Sequence, residues 1–180
     1  MKATALRYVS LLLVFAIVLL GVVAYHLRAS ADEHLPRVQM NADNVSPRPI
    51  EDLTGKSVPR DYALAWQTLA QALASNKTGL LDGYFTGLAK QDFTQRINSQ
   101  IKSGLQTRYT DRGHKLEALF YSPAGDVMEL RDHAQFDMQV LDGGKVIYEE
   151  PVNAQFMVLM TPGADRWLVR QLQATNGEKP

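Results

Sequence analysis

From Met128 onward the chain alternates apolar and polar residues, and one acid breaks the apolar series. Met128, Leu130, Ala134, Phe136, Met138 and Val140 take the even positions, with Asp132 among them. A carboxylate on an apolar strand face loses hydration, so its pKa rises and it can serve as a general base. Glu150 interrupts the following series (Val146, Tyr148, Val152, Ala154, Phe156) in the same way and is the second candidate. The competing reading is structural: an acid at such a position pairs with an arginine or lies where the row frays. His133 adjoins Asp132, but strand alternation sends the two side chains to opposite faces, so a dyad would require a bulge between them. His114, flanked by Arg112 and Lys115 at a strand start, is expected in solvent.

Other chemistries lack their residues. Four histidines and no cysteine offer no zinc spacing. The aspartates match no calcium loop, the glycines no phosphate-cradling motif, and the serines no nucleophile elbow. No metal or cofactor is expected. The chain has 19 basic and 19 acidic residues. Three of the basic and none of the acidic residues lie in the first 28, so the remainder stands at −3 and is no nucleic-acid binder.

The elements that would position Asp132 follow from periodicity. From Asp61, Tyr62, Ala65, Trp66, Leu69, Ala72 and Leu73 recur at helical spacing, and Asn76 to Gly79 end the run. A short segment over 80–88 follows. A third helix covers about 91–103, with Phe93, Ile97 and Ile101 on one face and Gly104 as its stop. Then the period becomes two. Strands are predicted around 115–121, 128–140, 146–160 and 167–174, with turns at 123–126, 142–144 and 162–165. A three-residue loop at 142–144 would set Val140 opposite Val146 and, less favourably, Asp137 opposite Glu149. Pro151 marks an edge or a bulge. The fold class is α+β: three helices on a curved antiparallel sheet. Trp66, Phe93, Met128, Leu130, Phe136, Phe156 and Trp167 would line any pocket for a small molecule.

The opposite sheet face is not fully polar. Leu119, Tyr121, Met157, Leu159 and Leu168 fall there, and such a patch fits a protein partner or a second copy. With a loop at 162–165, Leu159 would face Leu168. Charge is also polarised. Lys102, Arg108, Arg112 and Lys115 cluster after the third helix, a basic edge suited to an acidic partner or lipid headgroups.

Ahead of this domain, Tyr8 to Leu27 carry no formal charge and are long enough to span a bilayer, which needs about 20 residues. The reading is a short cytoplasmic start (1–7), a transmembrane helix (8–28), a proline-containing tether (29–60), the domain (61–175) and a tail (176–180). Lys2 and Arg7 favour a cytoplasmic N-terminus, which sets the domain outside the inner membrane, in the periplasm. Ala29-Ser30-Ala31 also fits signal-peptide cleavage, although the apolar run is longer than such peptides carry.

The element order, the Phe93/Ile97/Ile101 helix and the closing Trp167-Leu168-Val169-Arg170 strand resemble the nuclear transport factor 2-like superfamily, the cone-shaped fold shared with ketosteroid isomerase. Arg108-Tyr109, His114-Lys115-Leu116-Glu117 and Arg166-Trp167-Leu168-Val169 look like the Tim44 and chloroplast-division type of domain. The anchored periplasmic assembly protein of type IV secretion shows the same order of start, span and cone domain. Such a resemblance implies a scaffold that binds partners more than an enzyme. An isomerase-like pocket using Asp132 is the alternative.

Overall fold

The computed structural model describes residues 35–175. The expected cytoplasmic start, the span at 8–28, the beginning of the tether and the tail at 176–180 lie outside the described residues. Among the described residues no helix is long and apolar enough to cross a membrane. The order is β1 (Val38–Asn41), β2 (Ser46–Pro47), α1 (Asp52–Ser75), a 3-10 turn (Thr78–Gly83), α2 (Gly87–Ser103), β3 (Leu105–Tyr121), β4 (Met128–Asp142), β5 (Lys145–Pro162) and β6 (Trp167–Ala174). One sheet runs β1-β3-β4-β5-β6, with β2 also paired to β3. The α+β class stands, but the sheet is mixed: β1 and β2 run parallel to β3, and the other pairs are antiparallel.

Much of the expected tether is therefore domain. Val38–Asn41 extend the sheet beyond β3, and the Arg37 carbonyl accepts the His114 N–H at 2.8 Å. Helix α1 starts at Asp52 rather than Asp61. Prolines suggest a spacer, yet Pro47 lies on a sheet edge, where a missing N–H costs no ladder bond. Pro59 lies inside α1. Its missing bond to Gly55 is offset by the burial of Val58, one turn before Tyr62 on the same inward face. Asp52 in the first turn suits the positive end of the helix dipole.

Helix α1 ends at Asn76, in the left-handed conformation at φ 53°. The same side chain closes a polar latch. Its amide donates to Leu105 O at 3.0 Å, and its carbonyl accepts from Gln100 Nε2 at 2.7 Å. Buried Gln100 also accepts from Thr107, so α1, α2 and β3 meet through one satisfied network. The expected Phe93/Ile97/Ile101 face of α2 holds only in part. Phe93 is half-buried and Ile97 buried, but Ile101 is 52% exposed. Four residues overshoot a 3.6-residue turn by about 40°, so a strict four-step repeat rotates off the core and Gln100 takes the inward place.

The hairpins depart from the expected registers. The β4–β5 turn is the two-residue Gly143-Gly144, both at positive φ (54° and 83°), which only glycine adopts without strain. It sets Val140 opposite Tyr148 and Asp137 opposite Pro151, so the repulsive Asp137–Glu149 pairing does not form. Asp137 pairs instead with Arg112 across the sheet. At the last hairpin Leu159 faces Gln171, and Leu168 faces Thr161. Each change involves a bulge that adds one residue to one strand.

The core lies between α1 and the inner sheet face. Asp61 joins the two, although it lies on the buried side of a helix. It accepts the Trp167 N–H at 2.8 Å and pairs with Arg60 at 2.8 Å, tying α1 to the first residue of β6. Asp61→Ala should lower unfolding free energy by about 1–3 kcal/mol in urea titrations, because the Trp167 amide is left buried and unpaired. Asp61→Asn keeps an acceptor and should lose less.

Candidate functional site

Asp132 is fully buried, at 0% exposure. It faces neither an arginine nor solvent. Its Oδ2 accepts the Tyr62 hydroxyl at 2.8 Å and lies 2.7 Å from His114 Nδ1. The other imidazole nitrogen, Nε2, lies 2.6 Å from Asp111 Oδ2. Trp66 covers the ring at a centroid distance of 4.5 Å, and Tyr62 meets it edge-on at 5.6 Å. Helix α1 thus supplies Tyr62 and Trp66 one turn apart, β3 supplies Asp111 and His114, and β4 supplies Asp132.

His114 is the residue that sequence reasoning misplaces. Expected in solvent, its side chain is fully buried. The cause is a bulge at Arg112, where β3 steps from the Asp111–Phe136 pair to the Gly113–Gln135 pair. On a regular strand Asp111 and His114 have opposite parity and face opposite ways. One extra residue turns both inward. Gly113 in mid-strand was the available signal, since an interior glycine often marks a bulge.

The electrostatics follow from the partners. Burial by itself would push the imidazole pKa down, but hydrogen bonds to Asp111 and Asp132, with their charges, outweigh it and raise it to about 9. His114 is therefore a cation at neutral pH, with both N–H groups committed. Burial, followed by the Asp132 charge, pushes the Tyr62 hydroxyl well above its ordinary value. Asp111 Oδ1 and Asp132 Oδ1 are buried without a hydrogen-bond partner among the described residues. Chemically the cluster is an ion triad clamped under an aromatic lid. It holds protons in place and presents none to solvent.

The other expected site residues fall into two groups. Trp66, Met128, Leu130, Phe136 and Trp167 are buried core, and Phe93 and Phe156 pack half-buried against it. Trp66 meets Phe136 and Phe156 at 5.5 and 5.8 Å, and Phe93 meets Phe85 at 5.5 Å. Glu150 is not part of this cluster. It sits towards the turn end of β5 and accepts the Tyr148 hydroxyl at 2.6 Å in an exposed setting.

On the outer face Met157, Leu159 and Leu168 are half-buried, and Met157 and Leu159 line a groove of about 190 Å³ with Glu129 and Gln171. Tyr121 is not there. Leu119 is an extra residue at a second β3 bulge, which inverts the parity beyond it. Tyr121 turns inward at 3% exposure against Trp167, and Phe120 turns outward at 37%. The outer patch is thus Phe120, Met157, Leu159 and Leu168, with half-buried Leu119 beside them. Among the described residues no group of side chains could hold a metal ion.

The sequence matches no known family and no curated protein. Solved structures do resemble the fold. The intermembrane space region of the chloroplast protein ARC6 aligns over 72% of this chain and 100% of its own, at 12% identity and a TM-score of 0.59. A periplasmic fragment of TraM covers 66% and 97% at 17% identity and a TM-score of 0.47. ActVI-ORFA from Streptomyces coelicolor covers 67% and 96% at 14% identity and a TM-score of 0.45. At these identities the likeness concerns fold alone, a cone-like α+β domain.

The ion triad predicts a pH signature. A group whose pKa is raised on folding contributes stability that is complete below its unfolded value of about 6.5 and lost as pH rises through about 9. Unfolding free energy should therefore fall between those pH values. His114→Ala should remove that slope and lower stability by about 3–5 kcal/mol near neutrality, since it leaves two buried carboxylates uncompensated. Denaturant titrations across that pH range check both.

Proposed function

We propose that this chain is a membrane-anchored protein whose described domain works outside the cytoplasmic membrane as an interaction scaffold, docking a protein partner or a second copy on the outer sheet face. One contrast supports the reading. The acid best suited to catalysis is sealed, while large apolar side chains remain on the side of the sheet that no helix among the described residues covers. Phe120, Glu129, Leu159 and Gln171 stand side by side across β3, β4, β5 and β6, with Met157 and Leu168 adjoining. An apolar patch with a polar rim is the composition of a docking surface. Anchoring rests on the uncharged run at 8–28 and the side of the membrane on Lys2 and Arg7.

The alternative, an isomerase-like pocket with Asp132 as base, has weaker support. A general base must reach its substrate, and Asp132 Oδ2 already takes two hydrogen bonds at 0% exposure.

Leu159→Asp combined with Leu168→Asp should abolish self-association or partner crosslinking in the full chain, with little change in thermal stability, since both residues are half-exposed. Asp132→Asn should leave association intact. Retained crosslinking in the double variant, or its loss in Asp132→Asn at unchanged fold, would overturn the reading.

A further inference from the structure

A second groove lies farther along the same outer face. Its volume is about 460 Å³ and its lining is Arg37, Gln39, Arg112, Gly113, His114, Lys115, His133 and Gln135. Two registered rows build it. Gln39, Lys115 and His133 stand side by side across β1, β3 and β4, and Gly113 and Gln135 form the next row, beside Arg37. The lining contains no acidic side chain. Arg112 is neutralised by Asp137 at 2.5 Å, whereas Arg37 and Lys115 have no ion-pair partner among the described residues. Gly113 lines the floor, where its φ of 149° disfavours any other residue. The bulge that turns His114 inward therefore also shapes this groove on the opposite side.

We infer that this groove is the recognition site for an acidic, extended segment of a protein partner, with carboxylate side chains seated on Lys115 and Arg37 and the segment's polar backbone met by Gln39, Gln135 and His133. The inference rests on the scaffold reading above and adds the partner's chemistry. Three features favour a peptide over a bilayer surface. The cations border a recess, whereas a flat headgroup layer engages protruding side chains. The amides of Gln39 and Gln135 supply both donors and acceptors, which a peptide backbone can satisfy. Alternate side chains of an extended segment repeat at about 7 Å, the separation of successive same-face positions on the strands that line the groove. The apolar patch around Leu159 lies two register steps along β4, from His133 through Arg131 to Glu129. A partner that fills both sites carries acids followed by apolar residues.

The test uses the purified full chain and a fluorescent poly-glutamate peptide at low ionic strength. Lys115→Glu and Arg37→Glu should each weaken binding about tenfold, as expected for reversing a charge at a complementary contact. Lys115→Gln should weaken it less, and added salt should weaken it in the unaltered chain. Lys56→Glu on α1 makes the same charge change away from the groove and should leave binding unchanged. Leu159→Ser adds no charge, and poly-glutamate has no apolar side chain to seat there, so this variant should bind the peptide as the unaltered chain does even where it weakens partner crosslinking, which separates failure of this inference from failure of the apolar docking surface. The inference is overturned if Lys115→Glu and Lys56→Glu behave alike. It is also overturned if inorganic phosphate displaces the peptide at equal charge concentration, or if anionic phosphatidylserine vesicles but not the peptide respond to Lys115→Glu.

Discussion

His114 holds a positive charge beneath Trp66, out of reach of water, and the domain is arranged so that this charge is tolerated. An imidazolium in a low-dielectric interior is costly unless both N–H groups meet acceptors and the charge is compensated. Asp111 and Asp132 meet both conditions, and Tyr62 occupies the same Asp132 oxygen that faces the ring. The four residues come from α1, β3 and β4, so the triad also determines how the helix seats on the sheet. Removing one member strands the others as unpaired buried groups, which explains why a polar cluster persists in the middle of an apolar core.

That arrangement depends on a bulge. Without the extra residue at Arg112, Asp111 and His114 could not both face inward, and Gly113 could not form the floor of a groove on the other side. A second bulge at Leu119 swaps Phe120 and Tyr121 between faces and so moves an aromatic ring into the outer patch. A third, between Val140 and Leu141, accompanies the two-glycine turn and keeps the even-numbered apolar residues of β4 and β5 on one face. Irregularities in the ladder thus assign side chains to the core or to the surface, and the outer face acquires its composition as a result.

The two faces of the sheet divide the work. Inward, the imidazole, the Tyr62 hydroxyl and the aromatic rings are held in mutual contact, while one oxygen each of Asp111 and Asp132 stays buried without a hydrogen-bond partner among the described residues. Outward, one end is apolar and the other is basic and recessed. Pro151, paired to β4 in the part of β5 that β6 does not cover, interrupts an otherwise open edge and discourages strand addition there.

The α+β class, the helix bearing Tyr62 and Trp66, the strand with Asp132 in an apolar row and the turn glycines were all legible in the chain, because periodicity and local backbone freedom are properties of neighbouring residues. The interruption of the apolar row by Asp132 was legible for the same reason. Its burial and its partners were not decided there. Tyr62 and Asp132 are 70 positions apart, and only docking of α1 on the sheet joins them. The inward turn of His114 and the exchange of Tyr121 for Phe120 depend on bulges, which shift parity by one and leave little trace beyond a single glycine. The structured stretch from Val38 to Arg60 was hidden for a related reason: edge pairing with β3 and burial of Val58 outweigh the proline signal, and both are contacts with distant parts of the chain. Sequence alone determined which segments alternate, coil or turn. Tertiary structure decided which face each side chain meets, because that choice depends on long-range pairing and on where the ladder gains one residue.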